Sequence, residues 1–95
     1  MKRNEALDVL AELVQFLRAH ADYGQADALE DVRLRLSRPD VTKLSQDDEL
    51  TLFGGMGSLD DLFISKENHH KVDDERAANA ALDRLRSRLR AAVKG

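Results

Sequence analysis

Four groups of residues in this chain have types and spacings that could do chemistry. His69, His70, Asp73 and Asp74 form an H-H-x-x-D-D string; on a helix, positions four apart share a face, which would pair each histidine with an aspartate and offer donors suited to zinc or another divalent cation. No third ligand accompanies either pair, so the plainer reading makes Asp73 or Asp74 a helix cap and the histidines polar loop residues. Asp47, Asp48, Glu49, Asp60 and Asp61 are the carboxylates that general acid–base catalysis would draw on. They lie in a polar stretch with nothing to desolvate them, so no enzyme is expected. Gly54, Gly55 and Gly57 could turn a concave set of amides toward an anion. The lysine of a P-loop is missing, however, and two acids follow at once, which repels phosphate. Arg84, Arg86, Arg88 and Arg90 flank a leucine stripe and would suit nucleic-acid phosphates, an anionic membrane surface or an acidic protein. Their plainer reading is a solvated helix face, neutralised in part by the acidic middle segment.

The elements that must position these groups read as helices. Leu7, Leu10, Val14 and Leu17, with Leu13 beside them, recur at spacings of three and four, Asn4 is the expected N-cap, and Arg18 and His20 fall where a helix end favours cations. Ala21 to Gly24 interrupts that pattern. A second helix over about 25–38 presents Leu29, Val32 and Leu36 and stops before Pro39. The short connection makes these two an antiparallel hairpin. Ser45 followed by Asp48, and Ser58 followed by Asp61, are two capping signals. The first predicts a short helix over 46–53 that ends at Gly54 or Gly55. The second predicts a capped restart after the glycines, with Met56 tucked into the core; periodicity does not decide whether 59–65 is helical or extended, and a turn running into an extended segment is the expectation. Ser65 to Val72 reads as loop, and the last helix, about 73–94, carries Ala78, Ala81, Leu82, Leu85, Leu89 and Val93 on one stripe.

The stretch Leu52-Phe53-Gly54-Gly55-Met56-Gly57-Ser58-Leu59-Asp60-Asp61-Leu62 resembles a block, L-F-G-G-M-G-S-[LF]-[ND]-D-[LV], shared by a group of small bacterial proteins. Asp60 stands where that block more often has asparagine. The resemblance implies kinship, with immunity-type proteins as the functional class it suggests, and assigns no activity.

Composition bounds the rest. Ninety-five residues make one domain with a single modest core, and 42% apolar with 35% charged residues describes a chain that folds and stays soluble. There is no cysteine, no secretory leader pattern and no run approaching the ~20 apolar residues of a membrane span. A cytoplasmic protein without metal or cofactor is expected. The net charge of −3 hides a division. Residues 40–61 carry Asp40, Asp47, Asp48, Glu49, Asp60 and Asp61 against Lys43, a net −5; residues 76–95 carry Arg76, Arg84, Arg86, Arg88, Arg90 and Lys94 against Asp83, a net +5.

The sequence therefore predicts a single all-α domain over 1–95, a three- to four-helix bundle with a helical hairpin and a glycine-containing middle segment. The expected function is non-catalytic protein binding: an immunity or antitoxin-like inhibitor that covers a basic, nucleic-acid-cleaving toxin. Its contacts would come from Asp47, Asp48, Glu49, Gly55, Ser58, Asp60 and Asp61. A second class is an anionic-partner binder using Arg84, Arg86, Arg88 and Arg90, against which stand the net negative charge and the scarcity of stacking aromatics. A third is a helical module that buries leftover apolar surface in a homodimer.

Overall fold

The computed structural model describes residues 1–95, folded into four α-helices without strands: α1 (Arg3–Ala19), α2 (Tyr23–Leu36), α3 (Gln46–Phe53) and α4 (Glu75–Lys94), with a single 3₁₀ turn at Leu59–Asp61. It is an all-helical bundle. α1 is its spine, packing along both α2 and α4, neither of which packs extensively on the other. That position explains its buried face. Ala6, Val9, Leu10, Leu13, Val14 and Leu17 are all buried, a stripe wide enough for two neighbours, while Leu7 is left half-buried at its edge.

Asn4 is not the N-cap of α1. The helix begins one residue before it, and no side chain caps it, because tertiary contacts hold its start. Lys2 N–H donates to Ala92 O at the far end of α4 (2.8 Å), and Arg3 Nη1 donates to Val41 O (3.1 Å). The α1–α2 corner is tighter than the sequence suggests. Ala21 takes a left-handed φ of +62°, the Asp22 N–H returns to Leu17 O, and the Asp22 carboxylate caps α2 by accepting from Gln25 N (3.1 Å). The second helix therefore starts two residues before the expected Gln25.

α3 occupies the span its capping signal predicts, with Ser45 Oγ accepting from Asp48 N (3.1 Å). Beyond the glycines the chain makes the 3₁₀ turn and then extends, sending Leu59 and Ile64 into the core at 0% exposure, beside Leu52 from α3. The extended piece needs a hydrogen-bonding partner, and α4 supplies one in a side chain. Asn79 accepts from Ile64 N and donates to Ile64 O, both at 2.8 Å, as a neighbouring strand would. α4 itself starts at Glu75, since Asp74 accepts from Ala77 N (3.0 Å) and so fixes the cap one residue after the expected start.

Candidate functional site

The glycine segment is a loop whose backbone is held from three sides. Gly55 and Gly57 have φ of +90° and +80°, conformations that favour glycine. With these two angles the chain folds back so that Gly55 O accepts from both Ser58 N (2.9 Å) and Ser58 Oγ (2.6 Å). This is why the second expected cap is not made: Ser58 is buried, and its hydroxyl points backward rather than into the following turn. From α2, Gln25 Nε2 donates to Gly57 O (3.0 Å). From α4, Arg86 Nη1 donates to Leu59 O (3.0 Å) and Leu62 O (2.9 Å), and Arg90 pairs with Asp60 while its guanidinium lies 5.0 Å from the Phe53 ring centre.

The loop does gather a carboxylate, but the carboxylate is its own. Asp61 Oδ2 accepts from Gly57 N at 3.3 Å, a local closure that occupies the amide a phosphate would need. Met56 corrects the sequence expectation most sharply. Instead of entering the core it stands at the loop apex 96% exposed, because Leu52 and Leu59 already fill the interior on either side of the glycines. Leu50, 56% exposed, lies on the outer face of α3. Together with Phe53 and Val93 it lines a groove of about 510 Å³ between α3 and the end of α4, edged by Glu49 and Lys94.

The acids expected to contact a partner divide. Asp47 and Glu49 are exposed and without an ion pair, and Asp61 and Gly55 are exposed on the loop. Asp48 is 4% exposed and turned inward, where Arg35 donates to both of its oxygens, the shortest contact being 2.7 Å; that hydrogen bond raises the Arg35 pKa above its ordinary value. Asp60 is half-buried against Arg90, so neither it nor Asp48 presents an unpaired carboxylate.

Of the four α4 arginines expected to meet an anionic partner, three are engaged within the chain. Arg86 is held by loop carbonyls and by Asp83, and Arg90 by Asp60. Arg88 makes a two-pronged pair with Glu12 of α1 (2.8 and 3.1 Å), which pushes the Glu12 carboxyl below and the arginine above their ordinary pKa values. Arg84, like Arg76 in the first turn of the helix, has no such partner.

His69, His70, Asp73 and Asp74 do not share a helix face, since α4 begins only after them. His69 is exposed with φ of +66°, whereas His70 is buried. Its Nδ1 accepts from Ser65 N (3.1 Å), so the ring proton belongs on Nε2, which meets Asp22 Oδ2 at 2.8 Å. This buried pair ties the loop to the α1–α2 corner, beside the bond from Lys71 N to His20 O (2.9 Å). No group of three or more His, Asp or Glu side chains gathers around a point where a metal ion could sit, and no helix is long and apolar enough to cross a membrane. The roles of Asp22, Gln25, His70, Asn79 and Arg86 were not foreseen; a lone asparagine amid the alanines of α4 is the one clue that the sequence offers.

Residues 8–73 match the family described as a domain of unknown function (DUF6966). The chain belongs to that family. The matched span runs from the first turns of α1 through α3 and the glycine loop and stops before α4. No curated protein and no solved structure matches the chain.

Proposed function

We propose that this protein is a non-catalytic binding domain that presents the outer face of α3 and the glycine loop to a basic protein partner. Met56 carries the reading. A loop with so many of its polar groups bonded within the chain does not need an apolar apex for its own folding, yet it displays one at 96% exposure. Methionine is adaptable, is enriched at interfaces, and on full burial in a partner contributes about 1.5–3 kcal/mol. Leu50 is a second exposed apolar side chain, on α3, and Asp47, Glu49 and Asp61 are exposed acids on the same two elements. The role that suits this chemistry is that of an immunity or antitoxin-like inhibitor of a nucleic-acid-cleaving toxin. Such an enzyme carries positive charge around its substrate groove, and complementary acids speed capture. The arginines of α4 make a poorer nucleic-acid surface than their number suggests, because Glu12, Asp60 and Asp83 already hold three of them.

Photo-crosslinking residues placed singly at Met56, Leu50 and Ala80 test the reading in the cells that make the protein. Positions 56 and 50 should trap a protein of basic surface, and Asp47→Lys with Glu49→Lys should abolish the trapping. Equal trapping from Ala80 on α4, or trapping that survives charge reversal, would overturn it.

A further inference from the structure

We propose that the cleft between the end of α2 and the start of α3 binds a small amphiphilic carboxylate. The cleft is about 260 Å³, slightly below the roughly 300 Å³ at which ligand sites usually begin, so it suits a small molecule or a single peptide residue. Its floor is apolar, made by Leu36, Val41 and Leu44. Its walls carry Arg35, Arg38 and Lys43 against one acid, Asp48. That gives a local excess of two positive charges in a chain whose net charge is −3.

The acid does not cancel the site. Both Asp48 oxygens accept from Arg35, so the two neutralise each other, and the side chain is almost wholly buried. Arg38 and Lys43 make no ion pair or side-chain hydrogen bond within the chain, although Asp31 and Asp47 lie near enough to act on the charge of Arg35. Two unengaged cations at the mouth of an apolar cleft ask for one anionic group and one short hydrocarbon group on the same molecule. A carboxylate on a branched or aromatic residue has that form, whether it comes as a free acid or as the C-terminus of a peptide. The site lies on residues other than the Met56 loop and does not depend on the partner reading.

Amide NMR titrations of the full chain with benzoate and with benzamide, its neutral isostere, decide the matter. Benzoate should move the signals of Leu36, Val41 and Leu44 saturably, and benzamide should bind at least roughly tenfold more weakly, as expected when a charge-assisted hydrogen bond is lost. Arg38→Gln with Lys43→Gln should weaken benzoate by a similar factor while urea unfolding stays unchanged. N-acetylleucine and 4-methylpentanoate separate the two sources: tighter binding of the first favours a peptide terminus, and equal binding a free acid. Equal affinity for benzamide, shifts that map to another face, or no saturable shift up to about 20 mM would overturn the proposal.

Discussion

The arginine-bearing face of α4 and the acid-bearing face of α3 look alike in the sequence, as charge runs of opposite sign with a net +5 and a net −5 around them. In the fold they differ. Three of the four arginines expected on α4 are paired within the chain, with Glu12, with Asp60 and with the carbonyls of Leu59 and Leu62. On α3 only Asp48 does so, and Asp47 and Glu49 remain without partners. A run of charge is therefore a candidate contact surface only after its internal partners have been subtracted. Arginine lends itself to internal use here because its fork can satisfy several carbonyls of an irregular loop at once.

The difference can be probed from both sides. The largest effect is expected where an internal polar contact is removed outright. Asp22→Ala loses the α2 cap and the partner of buried His70 together, and should lower unfolding stability by about 3 kcal/mol in urea titrations. Gly55→Val should cost about 2 kcal/mol, chiefly through its positive φ, because a Cβ there meets no neighbouring atom. A loss below about 0.5 kcal/mol would mean that the loop is not fixed by its glycines.

A smaller effect should appear with acid. Arg88 holds the Glu12 carboxyl below its ordinary value of 4.5, and Arg33 does the same for Glu30. A carboxyl with a depressed folded-state pKa binds fewer protons than it does in the unfolded chain, so its stabilisation is complete above about pH 5 and is lost as pH falls through the folded value. Glu12→Gln and Glu30→Gln should each flatten the fall in melting temperature between about pH 5 and pH 3. The smallest effect belongs to the displayed face. Met56→Ser should leave stability within about 0.5 kcal/mol of the parent, since the side chain touches little of its own fold. A clear loss of stability would take the loop apex out of the partner surface.

What the sequence made legible was whatever a few neighbouring residues determine. Ser45 and Asp48 mark α3, Pro39 follows the end of α2, and leucine spacing marks α1 and α4, so the helices stand close to where periodicity and capping put them. What it concealed depended on distant partners. Asn4 fits an N-cap locally, but the start of α1 is set by Ala92 and Val41. Met56 and Asp48 exchanged their expected places, the methionine outward and the aspartate inward, because Leu52 and Leu59 had filled the interior and Arg35 offered a fork. His70 meets Asp22 across 48 residues, a separation at which no local pattern carries information.

The most direct measurement compares two double variants by urea unfolding: Arg86→Gln with Arg90→Gln, and Asp47→Asn with Glu49→Asn. If the arginines belong to the fold and the acids to a partner, the first pair should lose about 2 kcal/mol or more, and the second should stay within about 0.5 kcal/mol of the parent. Equal losses, or a greater loss from the acids, would contradict the division of the two faces on which the account rests.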